Sequence, residues 1–142
     1  MLAVDGGYNG AGGRIYSSSN SGVIWTTGNA PVLIWTSVAT SADGSLSIAV
    51  AYNAGIYIST NSGVTWAVTS APSDGWNASA SSADGTKLFA AAFDGPIYSS
   101  TNSGTTWNWT DVPALATLNT TSLRNEALLP TGYSNQFFRL KN

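Results

Sequence analysis

The chain has 142 residues, enough for one domain of ordinary size, and contains neither Cys nor His. Disulfides, thiol nucleophiles, Cys/His zinc sites and histidine acid–base chemistry are therefore excluded. Charged residues make up 8% of the chain, with a net charge of −2, against about 25% in an average soluble protein. The basic residues Arg14, Lys87, Arg124, Arg139 and Lys141 are scattered, so no row of phosphates can be neutralised and nucleic-acid binding is not expected.

Met1–Val4 reads as a strand, and a Gly-rich loop, Asp5–Arg14, follows it. Then comes "IYSSSNSGVIW" at Ile15–Trp25, repeated as "IYISTNSGVTW" at Ile56–Trp66 and "IYSSTNSGTTW" at Ile97–Trp107, a step of 41 residues each time. The segment between the phrases repeats too: Trp35 aligns with Trp76, Ser41–Gly44 with Ser82–Gly85, and Ile48–Tyr52 with Phe89–Phe93. Within one unit the text predicts four short strands. The first is Trp35–Thr40, closed by an Asp43-Gly44 turn expected to be type I′. Leu46–Tyr52, small and apolar, is the second, turned at Asn53-Ala54-Gly55; Ile56–Ser59 is the third; Thr65–Thr69 is the fourth, ended by Pro72. β-Branched and aromatic residues fill the strands, and no segment has helical periodicity.

Four strands in a unit of about 40 residues is the signature of a β-propeller blade. The expected fold is therefore all-β, with three four-stranded blades in an incomplete ring and a short β tail. Residues 1–114 form the blades, the first lacking its opening strand, and residues 115–142 form the tail. Two strand-like runs in the tail, Leu118–Leu129 and Gln136–Leu140, are candidates for that missing strand.

The surface replaces charge with Ser, Thr, Asn and Gly, so it is hydrated but lacks the self-repulsion that keeps copies apart. This composition leads us to expect an extracellular or cell-surface location of bacterial type. Residues 15–42 carry no charge, yet polar residues and prolines interrupt them throughout, so no membrane insertion is expected. The opening "MLAVDGGYNG" has no basic n-region and no apolar h-region, so no signal peptide is read there.

The repeated phrase resembles the Asp-box, or BNR, repeat of sialidases and related propellers, whose pattern is S-x-D-x-G-x-x-W. Here Asn20, Gly22 and Trp25 fit it, as do Asn61, Gly63 and Trp66, and Asn102, Gly104 and Trp107, with Asn where the family has Asp. The resemblance covers about residues 1–114. It implies a folding device in which the acidic position bonds the amides of a tight turn and the Trp packs in the blade, so these three Trp are expected in the core. Asn can make the same bonds through its side-chain oxygen. The tail text "NEALLP…NQFFRL" resembles the C-terminal ends of secreted multidomain proteins of environmental bacteria, where such text closes a small sandwich-like unit.

Active sialidases of that family carry an arginine triad, a Tyr–Glu pair and an acidic Asp. This chain has three arginines, two of them in the tail, and a single Glu, Glu126. Asp43 and Asp84 occupy equivalent turns, which explains them without the facing carboxylates a glycosidase needs. No catalytic residue, metal site or cofactor is predicted, and no D-x-D-x-D-G cluster exists for calcium. Trp35, Trp76 and Trp109 are candidate rings for stacking on a sugar, which makes a glycan the alternative partner and a lectin-like adhesive module the alternative function. The principal expectation is self-association. Three blades are too few to close a ring of about four to eight, and open edges seek partners. Exchange of strands between subunits, by filament or closed ring, would involve Met1, Leu2, Ala3 and Val4 with Leu128, Leu129, Phe137 and Phe138 of the tail.

Overall fold

The computed structural model describes residues 1–7, 10–93, 95, 97–104 and the backbone of 110–112. The described residues belong to one compact unit, Met1–Val112. It is all-β. Strands β1 (Leu2–Val4), β2 (Ile15–Ser17) and β3 (Thr26–Thr27) form one antiparallel sheet in that order. A second group follows: β4 (Trp35–Thr40), β5 (Ser47–Ala54), β6 (Ile56–Ser59) and β7 (Ala67–Val68). A third comprises β8 (Asp74–Ser81), β9 (Leu88–Ala92), β10 (Ile97–Ser100) and β11 (Thr110–Val112). Each group is an up-and-down meander, but a short ladder, Tyr52↔Gly75 and Ala54↔Asp74, joins β5 to β8 and makes the last two groups one continuous sheet.

Two expected strands, Trp35–Thr40 and Ile56–Ser59, form with those bounds. The expected strand Leu46–Tyr52 instead runs to Ala54, because its end pairs with β8 across a bulge in which Asn53 takes φ 52°. The expected Thr65–Thr69 shortens to Ala67–Val68. The amides of Thr65 and Trp66 are taken by the side-chain oxygens of Asn61 (2.8 Å) and Asn29 (2.7 Å), so they cannot join the ladder.

The Asp-Gly turn also differs from expectation. Only Gly44 has positive φ (75°), and Gly44 N donates to Ser41 O at 3.0 Å. This is a turn closed over four residues, and Asp43 serves it through its carboxylate. Oδ1 accepts from Ser41 Oγ (2.5 Å), Ser45 N (3.0 Å) and Ser45 Oγ (2.9 Å). Asp84 repeats the arrangement with Ser82 and Thr86.

The core lies between groups, in two layers of the same construction. The first holds Ile15, Ala30, Trp35, Ala49, Ala51 and Trp66, with Leu2, Val4 and Tyr57 against them. The second holds Ile48, Val50, Ile56, Ile58, Trp76, Leu88 and Ala90, with Tyr98 against them. Residues alternate faces along a strand, so β5 sends Ile48 and Val50 to one layer and Ala49 and Ala51 to the other. Trp35 and Trp76 anchor equivalent places. Each ring meets a tyrosine edge-on, Trp35–Tyr57 at 5.1 Å and Trp76–Tyr98 at 5.2 Å, and each indole N–H donates to a proline carbonyl, Pro31 O at 3.3 Å and Pro72 O at 3.2 Å. Serine and threonine side chains lace β4 to β8: Thr36 Oγ1 donates to Trp76 O (2.8 Å), and Ser79 N donates to Ser37 Oγ (3.0 Å).

Candidate functional site

The three Ser-x-Asn-x-Gly turns share one geometry. Ser21, Ser62 and Ser103 sit at φ 58°, 59° and 58°, in the left-handed region, and each is followed by a positive-φ glycine. In the first turn Ser18 Oγ donates to Asn20 Oδ1 (3.0 Å), while Gly22 N and Ile24 N donate to Ser18 Oγ and Asn20 Oδ1 (both 2.9 Å). In the second, Ser59, Asn61, Gly63 and Thr65 repeat these bonds, and Asn61 Nδ2 adds one to Thr65 Oγ1 at 2.8 Å. In the third, Ser100 Oγ donates to Asn102 Oδ1 (2.9 Å) and accepts from Gly104 N (3.2 Å). The amide oxygen of Asn thus satisfies backbone donors with no charge.

The turns differ in what covers them. Trp66 is only 7% exposed. The Gly28–Asn29 segment lies over its turn, with Asn29 N donating to Val64 O at 3.3 Å, and its indole N–H donates to Gly63 O at 3.0 Å. Trp25, in a closely similar local sequence, is 39% exposed, against the expectation that it is core. Among the described residues no segment lies on the first turn as Gly28–Asn29 lies on the second. Trp107 lies outside the described residues.

The sugar-stacking assignment is corrected for two of its rings. Trp35 is 2% exposed and Trp76 is 0% exposed, clamped by the tyrosine and the proline carbonyl described above, so neither has a face free for a sugar. Trp109 lies outside the described residues, as do Leu128, Leu129, Phe137 and Phe138.

Met1–Val4 forms the edge strand β1. Met1 and Ser18 exchange two bonds, the terminal ammonium to Ser18 O (2.8 Å) and Ser18 N to Met1 O (2.9 Å), and Asp5 N donates to Arg14 O (2.9 Å). Paired residues in an antiparallel ladder alternate between bonded and non-bonded. With Met1 and Asp5 bonded to the β2 side, the amides and carbonyls of Leu2 and Val4 point away from β2. Among the described residues no strand pairs with that edge, whereas β5 lies between β4 and β6, and β9 between β8 and β10. Beside the edge is an open groove of about 640 Å³, bordered by Met1, Leu2, Ser18, Asn20, Asp43 and Gly44.

The first turn shows the same vacancy. On the second turn Ser62 N donates to Ser45 O (3.1 Å), and on the third Ser103 N donates to Thr86 O (3.0 Å). Ser21 N, the equivalent donor, has no such acceptor among the described residues and faces the groove.

The acidic groups described here serve turns. Asp43 is lowered to about 2 by the Ser41 hydroxyl first, then by the Ser45 amide and hydroxyl; Asp84 is lowered to about 2 by Ser82 and then Thr86. Among the described residues no three His, Cys, Asp or Glu side chains come together as a metal would need, and no helix is long and apolar enough to cross a membrane.

No family model and no curated protein matches the chain. Solved structures do. YCF48 bound to D1 peptide superposes with TM-score 0.60 at 15% identity, over 72% of this chain and 35% of that one. The GH74 enzyme of Niastella koreensis superposes with TM-score 0.54 at 21% identity, over 79% of this chain and 17% of that one. Both are β-propeller proteins, and the fold described above is propeller-like. The chain spans about a third of the length of the first and about a sixth of the second.

Proposed function

We propose that this chain is a non-enzymatic, extracellular structural segment of a β-propeller. In this reading it has three Asp-box-type blades on a 41-residue repeat, the first completed by a strand from outside it, and it self-assembles by that exchange. The observation that carries the reading is the edge of β1. Leu2 offers its amide and carbonyl beside a groove of about 640 Å³, Val4 follows on the same edge, and among the described residues Ser21 N lacks the acceptor that Ser45 O and Thr86 O supply elsewhere. An extended segment ending in a turn, laid along β1, makes both sets of bonds at once; this is strand addition to an open sheet edge. The donor in this proposal is another copy of the chain. YCF48 was solved with a peptide bound, a precedent for a propeller holding a peptide.

The test is the mass of the full chain in solution by light scattering, alongside a Val4→Pro variant. Proline removes an N–H that points away from β2, so the β1–β2 ladder tolerates it as an edge strand does. Wild type is expected at twice 14.6 kDa or more, and the variant at a smaller mass with unchanged far-UV circular dichroism. Wild type at 14.6 kDa at every concentration refutes self-assembly.

A further inference from the structure

The two core layers are built from two kinds of face. Cross-strand registers define the first kind: Leu2↔Ser17 with Val4↔Ile15 in the first group, Ile48↔Ile58 with Val50↔Ile56 in the second, and Phe89↔Ser99 with Ala91↔Ile97 in the third. The second kind carries the tryptophans: Trp35, Tyr57 and Trp66 in the second group, Trp76 and Tyr98 in the third. Each layer joins the first kind from one group to the second kind from the next. In the first layer a Cβ on Gly63 would stand 2.7 Å from Leu2 Cδ2, so the leucine fits because the turn glycine has no side chain.

Among the described residues, the first and third groups each leave one face without its complement. In the second group Ile48 and Ile56 are wholly buried; their equivalents in the third, Phe89 and Ile97, are 43% and 47% exposed. At the other end Trp25 is exposed where Trp66 is buried, and a Cβ on Gly22 would meet nothing outside its own turn closer than the Met1 sulfur at 3.9 Å. The array thus ends in a ridge of Phe89 and Ile97 at one side, and at the other in a surface of Tyr16, Gly22 and Trp25.

We propose that the occupant of each end is a second copy of this chain, docked head to tail. Phe89 of one copy would sit on Gly22 of the next as Leu2 sits on Gly63, and Trp25 would be covered as Trp66 is. This rests on the self-assembly reading above and specifies its surface, a face-to-face joint in addition to a shared strand. The argument for a second copy is that the joint already exists inside the chain twice, made of the same residue types in the same register. Two copies, with the three groups described in each, give six, within the range of about four to eight at which propellers close. Each copy contributes one ridge and one tryptophan surface, so two identical joints complete the ring.

Two full-length variants test this: Phe89→Arg, which blocks the ridge, and Trp25→Arg, which blocks the opposite surface. Both sites are substantially exposed, so the fold should persist, checked by circular dichroism, with Ile97→Arg as a second ridge variant. Masses are read by light scattering for each variant alone and for a 1:1 mixture. Expected are an assembled wild type, a strong loss of mass for each variant at equal concentration, and recovery of a two-chain species on mixing, because each variant keeps the face the other lacks. If wild type assembles but neither charge changes its mass, or mixing restores nothing, the face joint is wrong while strand exchange stands. If wild type is a single chain, both readings fail.

Discussion

Replacing Trp76 by Ala should destabilise the fold rather than remove a binding surface. The ring is fully buried, packs edge-on to Tyr98 at 5.2 Å and donates to Pro72 O at 3.2 Å. A buried tryptophan removes about 150–250 Å² from water, worth about 4–6 kcal/mol at about 25 cal/mol per Å². Measured Trp→Ala costs of about 3–5 kcal/mol include the cavity left behind, so about 4 kcal/mol is the working figure. Stability of about 0.05–0.15 kcal/mol per residue gives about 6–17 kcal/mol for the Met1–Val112 unit, so this loss is a large fraction of the whole. Trp25→Ala is the internal control: 39% of that residue is already in water and the gap opens to solvent, so the cost is about 2 kcal/mol. With a urea m-value of about 1.5 kcal/mol/M, the midpoint should fall by about 2–3 M for Trp76→Ala and by about half that for Trp25→Ala. Far-UV circular dichroism in urea reads both. A Trp76→Ala protein that unfolds no earlier than Trp25→Ala refutes the burial argument. One that stays folded while losing affinity for a glycan would return the ring to the surface as a stacking platform.

Two further predictions rest on the turns. Gly22→Ala and Gly63→Ala both force an L residue to φ near 85°, a cost of about 1–2 kcal/mol, but only Gly63 also meets Leu2 Cδ2 at 2.7 Å. Gly63→Ala should therefore be the more destabilising in urea, and equal midpoints would contradict the close packing of Leu2 on this turn. The carboxyls of Asp43 and Asp84 titrate at about 2 in the folded chain against 3.8 for the free group. A lowered folded value means that their stabilisation is complete above about pH 4 and is lost as pH falls toward 2. The urea midpoint should decline across that window, and the double variant Asp43→Asn/Asp84→Asn should flatten the decline. An undiminished slope in the variant would place the acid sensitivity elsewhere.

The sequence registered the strands well where local chemistry decides them. Ile56–Ser59 lies between Gly55 and the Asn61-Ser62-Gly63 turn, Trp35–Thr40 is closed by the Asp43-Gly44 turn, and both have the extents that the repeat predicts. Where a distant residue intervenes, the reading drifts. The fourth strand is shorter than its β-branched text because Asn29, far away in sequence, captures the amide of Trp66. Burial of individual rings is less legible still. Trp25 and Trp66 sit in nearly the same eleven-residue phrase, yet only one is covered, since the covering loop belongs to the preceding group. Trp35 and Trp76 read as exposed candidates because they open their strands. Periodicity of two cannot say which face meets a neighbouring sheet, and the middle group buries both of its faces. The β1 edge was visible as an absent strand, but the Ser21 amide, without an acceptor among the described residues, was not. Its signal was the equivalence of Ser21, Ser62 and Ser103, which gains meaning only once the carbonyls of Ser45 and Thr86 are seen opposite two of them.

The chemistry of the turns bears on how such an array behaves when incomplete. A Ser-x-Asn-x-Gly turn holds its amides with a neutral oxygen, so it is indifferent to pH and makes no field at the joint between groups. The charged turns at Asp43 and Asp84 stay exposed, and each is coupled to the neutral turn beside it through a single backbone bond, Ser45 O to Ser62 N and Thr86 O to Ser103 N. At the first neutral turn that bond has no acceptor among the described residues. The neutral turns therefore bring no charge of their own to the joining faces, and with only 8% charged residues the chain has little general repulsion to oppose contact. In the proposed assembly, exposed Phe89, Ile97 and Trp25 are then the residues that decide association. Burying apolar area at the ends gains about 25 cal/mol per Å² against no electrostatic penalty from the turns themselves. Association driven this way should strengthen rather than weaken as salt rises, because it has no charge pairs to screen and excluded salts favour burial.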